Sequence, residues 1–509
     1  MNRILVSLMI CIFAASAQAA VRPASVFTDN MVLQREIRVP VWGTAEPGEK
    51  VTVKFAGQQI EAVADAAGNW RANLAQLKTS AEPAELVISG ADSSVKLTNV
   101  LVGEVWLCSG QSNMDYTMRM LSQPEKEIQA AADYPLLRLF KVKNQSNPEH
   151  PEVSVEGAWK ASTPETAGDF SGTATYFGRA LCRDIGVPVG LIHCAWGGTT
   201  AEAWTSRDVL DRLPFMPDRL RAADVARKTY VPDKAQADFE KKLAEWQRKK
   251  DAGENAGSKP VLFNPFTDPM QPAALYNGMI APLMPFAMRG IIWYQGEFNV
   301  RRSNEYRPLI SAMVRDWREK WGQGDFPFLY VQLAGFMKVQ TDPVEDPSSV
   351  FPWPYLREAQ TRTLDLTNTA MAVITDVGDA LNIHPKDKKT VGERLALAAR
   401  AKAYGENIVY SGPLFQSLEV KDGKAVVRFS HIGGGLTAKG GKLTGFAISG
   451  ADRKWHWADA QIEGDTVVVS SSEVSVPVSV RYNWANNPIG NLFNKEGLPA
   501  SMFRADVRP

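Results

Sequence analysis

Ser112 stands in Cys108-Ser-Gly-Gln-Ser-Asn-Met114, directly after the apolar run Val-Trp-Leu-Cys. Gly110 permits a tight turn at the end of a strand. The residues after Ser112 can open a helix whose first N–H groups point at that turn. A serine so placed has an exposed hydroxyl with backbone donors beside it, which is what an acyl-transfer nucleophile needs. The plainer role open to it is a helix N-cap. Ser109 precedes the glycine and stays in the strand. Such a serine also needs a base, and the chain has five histidines. His193 lies inside the strand-like LIHCAW and reads as a core residue. His150 lies in a Pro-rich loop, and His431 and His456 fall in the C-terminal stretch. His384, in Asn382-Ile-His-Pro385, follows a strand and precedes a helix marked by Val391, Leu395, Ala398 and Ala399 and stopped by Gly405. Loops at the C-terminal ends of parallel strands are where ligands bind in open α/β sheets.

Two more polar loops end strands of the same kind: Trp196-Gly-Gly-Thr199 after LIHCA, and Trp293-Tyr-Gln-Gly-Glu-Phe-Asn299 after GII. An oxyanion hole needs two or three preorganised donors where negative charge develops. The N–H groups of Ser112 and Gly198 and the Gln295 side-chain amide can supply them. Gln111, Asn113, Trp196, Glu297, Asn299 and Arg301 lie on the same loops and are the candidates for substrate contact. Arg301 and its neighbour Arg302 can pair with a sugar carboxylate, if the substrate has one; both also fit as solvated helix-start residues.

The elements that must position these residues follow from periodicity. Short alternating strands with turn signals fill 20–101, for example Val39–Gly43, Val51–Phe55 and Leu86–Ile88, which is all-β spacing. From 102 to 406 the strand-like runs VWLCSG, LRLFKV, VGLIHCAW, GIIWYQG, FLYVQLA and MAVITD alternate with longer segments. That is the pattern of a parallel sheet covered by helices. A charged stretch at about 208–265 carries Phe239, Leu243 and Trp246 at helical spacing and reads as a helical insertion. From 407 to 509 the β pattern returns. Val420-Lys-Asp-Gly423 marks a hairpin turn, and Pro477 in SVPVSV points to an edge strand. The two β-rich regions are expected to pack together or against the same side of the sheet domain.

Composition narrows the partners. The chain has 509 residues, 57 Lys plus Arg against 56 Asp plus Glu, and 45% apolar residues. That balance gives no broad basic field for nucleic acid or an anionic membrane, so the expected substrate is small, or a neutral or weakly charged polymer. Arg3, the apolar run Ile4–Ala15 and the Ala17-Gln18-Ala19 site read as a signal peptide over 1–19. A secreted or periplasmic protein follows, with no membrane anchor after cleavage. Cleavage leaves Cys108, Cys182 and Cys194, an odd number. Buried structural thiols are the favoured reading, with room for one disulfide. Nothing in the sequence sets the oligomeric state.

The motifs GEVWLCSGQSNM, WGGTxAEAW, WYQGExN and IHPKDK together resemble the sialate O-acetylesterase family, a branch of the SGNH hydrolases. Phe27-Thr-Asp-Asn-Met-Val-Leu-Gln-Arg35 is similar to the family's start, and Val480–Trp484 and Gly497–Ala500 to its end. The resemblance implies a flavodoxin-like α/β/α hydrolase domain with accessory β regions, no metal or other cofactor, and hydrolysis of O-acetyl esters on sugars. It places the nucleophile on Ser112, the base on His384 and the oxyanion donors on Ser112, Gly198 and Gln295. One position departs from it. Many SGNH hydrolases carry Asp three residues before the histidine, where this chain has Leu381. Asp379, Asp376 or a backbone carbonyl is left to orient His384, with Asp379 taken as the candidate carboxylate. Acetylated plant polysaccharide, xylan or xyloglucan, is the alternative substrate to acetylated sialic acid. A sugar-binding protein without turnover and a metal-dependent deacetylase are the competing classes. The first requires a missing nucleophile or base, and the second a ligand cluster at close spacing.

Overall fold

The structure is a computed structural model that describes residues 20–345 and 352–507. The expected signal peptide at 1–19 lies outside them. Six parallel strands form the centre: β1 (Ser94–Gly110), β2 (Leu137–Lys141), β3 (Val189–Ala195), β4 (Gly290–Tyr294), β5 (Phe328–Gln332) and β6 (Thr369–Val373). Their order is β2-β3-β1-β4-β5-β6. A short antiparallel strand, Trp159–Ala161, borders β2. VGLIHCA, GIIWY, FLYVQ and TAMAV are buried along their whole lengths, as strands covered on both faces must be.

Four helices cover the sheet: α1 (Gly172–Ile185), α2 (Ser303–Trp321), α3 (Trp353–Arg362) and α4 (Lys388–Tyr404). Alternation along β1 sends Trp106 and Ser109 to opposite faces. Trp106 meets Phe177 of α1 edge-on and donates its indole N–H to Tyr404 of α4 at 3.1 Å. Trp293 of β4 is in register with Ser109 and meets Trp317 of α2 at 5.9 Å. Helices therefore lie on both faces, an α/β/α sandwich. The insertion is helical as expected, with Arg207–Leu210, Pro217–Lys228 and Pro232–Asp251. Its long last helix buries no residue fully, and Phe239, Leu243 and Trp246 are only half-covered.

The N-terminal region does not end where the sequence pattern changes. The first half of β1 pairs with Ser80–Ser89 and with Val32–Gln34, and its second half with β3 and β4. The expected boundary between 101 and 102 thus falls inside one strand. Residues on both sides of it share a single hydrophobic core. Burial along β1 changes from alternating to continuous at Val100, and that change in covering imitates a domain boundary.

The C-terminal region has its own core and two four-stranded antiparallel sheets. Its first hairpin turns at Asp422-Gly423, both at positive φ (49° and 71°), the conformation the D-G pair favours. Ser479–Tyr482 is not an edge strand: it lies between Phe446–Ser449 and Phe503–Asp506, and Pro477 sits just ahead of it, where no ladder N–H is needed. The two β regions attach at different ends of the parallel sheet. The N-terminal one continues β1 from its start, whereas the C-terminal one docks on the segment just past the end of β5. Fully buried Arg357 of α3 ties that junction. Its guanidinium donates to the carbonyls of Leu333 and Ala334 on one side and of Ala485 and Asn486 on the other, at 2.6–2.8 Å.

Candidate active site

The order of strands reverses at β1, with β3 on one side and β4 on the other. The crevice outside the carboxyl ends of such strands is where open α/β sheets bind ligands. Gly110 ends β1 at φ 141°, and a Cβ on it would lie 2.1 Å from the Tyr294 carbonyl oxygen of β4. Only glycine fits there, so the chain turns tightly against β4. Gln111 N–H then donates to that same carbonyl at 2.9 Å. Ser112 opens a single helical turn, Ser112–Asp115. Ser109, behind the glycine, is fully buried.

The loop after β6 brings His384 to this turn. Its Nε2 lies 2.8 Å from Ser112 Oγ, and both residues are half-exposed. Gly197, in the loop after β3, packs on Ser112: a Cβ there would lie 3.4 Å from the serine Cβ. The next residue, Gly198, adopts φ 75°. The N–H groups of Ser112 and Gly198 donate to no acceptor among the described residues. A hydroxyl held by an imidazole beside unspent backbone donors is the arrangement acyl transfer uses. His193 is buried in β3, and burial pushes its pKa down to about 3, so it stays neutral in the core.

Several expectations are corrected. Gln295 is fully buried, and its amide donates to Asn299 Oδ1 at 2.7 Å and to the Thr199 carbonyl at 3.3 Å, while its Oε1 accepts from Tyr306. Both N–H groups of its amide are spent on these loops, which leaves it no free donor for an oxyanion. Asp379 does not pair with His384. Its Oδ1 accepts from the N–H groups of Leu381 and Asn382 at 2.8 and 3.2 Å, and Asp376 forms a two-pronged pair with Arg394. Among the described residues the histidines that come within 4 Å of a carboxylate oxygen through a ring nitrogen are His193 and His456, not His384. Gln111, Asn113, Glu297 and Asn299, expected to touch substrate, are all buried. Gln111 Oε1 accepts from the backbone of Gly296 and Phe298, and Asn299 holds Ala201 N–H and Glu202. Trp196 is half-exposed and Arg301 exposed. Arg302 is taken up by Glu202, at 2.5 Å, and by Glu305. Cys108, Cys182 and Cys194 carry free thiols.

What holds the His384 loop is a buried set beneath the serine. Asn113 donates to Glu297 Oε1 at 2.6 Å and to the Ile383 carbonyl at 3.0 Å, and Lys388 Nζ donates to Asn113 Oδ1 at 2.5 Å and to the Pro385 carbonyl at 2.7 Å. The residue after the serine and the second lysine of IHPKDK thus clamp the two halves of the site together. Burial pushes the Lys388 pKa down to about 7, against the attraction of Glu297 and Asp387, and burial raises Glu297. His384 is lowered, first by partial burial and then by the Lys388 charge. Sequence reasoning gave Lys388 no role. Its place in the IHPKDK motif, next to the candidate base, was the available signal.

A family model described as carbohydrate esterase, sialic acid-specific acetylesterase, matches residues 102–228 and 241–401; the break falls in the helical insertion. The sialate O-acetylesterase of Mus musculus is 30% identical, covering 99% of this chain and 97% of that protein. The one of Homo sapiens is 29% identical, covering 93% and 89%. Among solved structures, a carbohydrate acetylesterase from Xanthomonas citri is similar with a TM-score of 0.79 and 36% identity, covering 96% of this chain and 100% of that one.

Proposed function

Because the chain belongs to the sialic acid-specific acetylesterase family of carbohydrate esterases, we propose that it removes O-acetyl groups from sialic acid, with Ser112 as nucleophile and His384 as general base. It is a carboxylic ester hydrolase, and both the family and the Xanthomonas citri neighbour support sugar O-deacetylation as its reaction. The site motifs and the strand order support placing it among the SGNH hydrolases. Arg3, the apolar run after it and Ala17-Gln18-Ala19 support an exported enzyme.

The observation that carries the mechanism is the 2.8 Å contact of His384 Nε2 with Ser112 Oγ. His384 takes the hydroxyl proton as Oγ attacks the acetyl carbonyl, and the negative oxygen falls to the N–H groups of Ser112 and Gly198. Collapse breaks the C–O bond to the sugar, whose oxygen takes the proton from His384. Water then repeats the sequence on acetyl-Ser112, releasing acetate. Ser112→Ala removes the covalent route, with an expected loss on the order of 10³ or more in kcat.

A second reading, deacetylation of a neutral plant polysaccharide, is favoured by one observation. Glu202 and Glu305 occupy Arg302, which removes one of the two arginines expected to receive a sialate carboxylate. Acetate release from O-acetylated sialic acid and from acetylated xylan, with Arg301→Ala and Arg302→Ala, separates the two. Loss of the sialate substrate alone in an arginine variant supports the first reading. Turnover of xylan that equals or exceeds that of sialate, untouched by both changes, supports the second.

A further inference from the structure

Phe298 stands in WYQGEFN between two buried residues, Glu297 and Asn299, and is itself 51% exposed. Its backbone is held on both sides. Its N–H donates to Gln111 Oε1, and its two neighbours are anchored by Asn113 and by Gln295 with Glu202. The ring lies against the glycine that follows the one packed on the serine. A Cβ on Gly198 would meet Phe298 Cζ at 3.5 Å, and a Cβ on Gly197 would meet Ser112 Cβ at 3.4 Å. Ring, Gly198, Gly197 and Ser112 therefore follow one another along the rim of the site. Covering a half-exposed aromatic ring with the apolar face of a ligand is favourable.

On the reading of the site as a sugar O-acetylesterase, we propose that Phe298 is the platform on which the acetyl-bearing sugar ring stacks, and that it sets the preference for sugar esters over simple esters. An acetyl ester whose carbonyl oxygen reaches Gly198 N–H lies within reach of the ring packed on that glycine. The C–H face of a pyranose is apolar with weakly positive hydrogens, and the aromatic face is negative, so the two match without any charge on the sugar. Binding of this kind tolerates sialic acid and xylose alike. The buried polar residues of the same loop shape the site without offering such a surface.

The test compares an O-acetylated sugar with ethyl acetate, which has no ring to stack, in the full-length protein. Phe298→Ala is expected to lower the ratio of kcat/KM for the sugar ester over that for ethyl acetate by about tenfold, through KM. Phe298→Trp is expected to restore it, and Phe298→Leu to restore it only in part. Equal losses on both substrates in Phe298→Ala would show that the ring only supports the loop, and an unchanged ratio would show that no sugar rests on it. Either result overturns the proposal. A wild-type protein that cleaves ethyl acetate but no sugar acetate overturns the sugar-esterase reading itself, and the platform with it.

Discussion

The His384 ring has Ser112 Oγ at Nε2 and, among the described residues, no carboxylate at its other nitrogen. Its orientation comes from the loop, which is fixed by Asn382 Oδ1 on the His384 N–H and by Lys388 and Asn113 on flanking carbonyls. Asp379→Asn keeps an Oδ1 for the two loop N–H groups, so kcat/KM is expected to stay within about tenfold of wild type. A loss near 10⁴, the signature of a strict triad, would return Asp379 to the imidazole. The pH profile follows from the lowered His384 pKa. As the proposed base, His384 works when neutral, so activity is expected to rise with pH to a plateau whose midpoint lies below the ordinary 6.5 of histidine. Lys388→Met removes a positive neighbour, makes the imidazolium less unfavourable, and should move that midpoint upward. A midpoint that moves down or stays put would contradict the electrostatic link. Ser112 and His384 were legible because their neighbours in sequence announce a strand, a turn and a helix. The Asn113–Glu297–Lys388 set was not, because its members come from three distant segments and polar residues beside a nucleophile read as substrate contacts.

At the level of elements, β1 makes the site: one strand runs from the accessory region to the turn that carries Ser112. Gly110 is its critical residue, since any Cβ there collides with the Tyr294 carbonyl. Gly110→Ala is expected to cost about 1–3 kcal/mol from the strained φ alone, more with the collision, and urea unfolding reads it. A wild-type midpoint would mean the turn relaxes freely. The six strands were legible from their apolar runs. The unity of β1 was not, because a half-covered strand and a fully covered one have different patterns, and the switch between them at Val100 resembles a boundary.

For the whole molecule, the C-terminal region reaches the sheet domain through Arg357, whose side chain serves four carbonyls from both bodies. Burial holds its pKa down at about 9. Arg357→Met leaves buried acceptors unpaired and is expected to destabilise by at least about 3 kcal/mol. Loss of the junction should also split unfolding into two transitions, seen by calorimetry. One unshifted transition would show that the regions hold together by other means. The existence of two β-rich regions was legible in their strand spacing. Where they attach was not, because the N-terminal region joins through the pairing of β1 and the C-terminal one through contacts between residues far apart in sequence, among them Arg357 with Ala485 and Asn486, Gln332 with Ser501 and Arg504 with Glu358.

Catalysis is proposed to run through a covalent route on Ser112, activated by His384. Labelling with a fluorophosphonate, followed by peptide mass spectrometry and an acetate-release assay on the same samples, reaches it most directly. One adduct per chain is expected on the peptide carrying Ser112, with activity falling in step and labelling much slower in His384→Ala. Full activity after complete labelling of Ser112, or inactivation with that serine unlabelled, would contradict it.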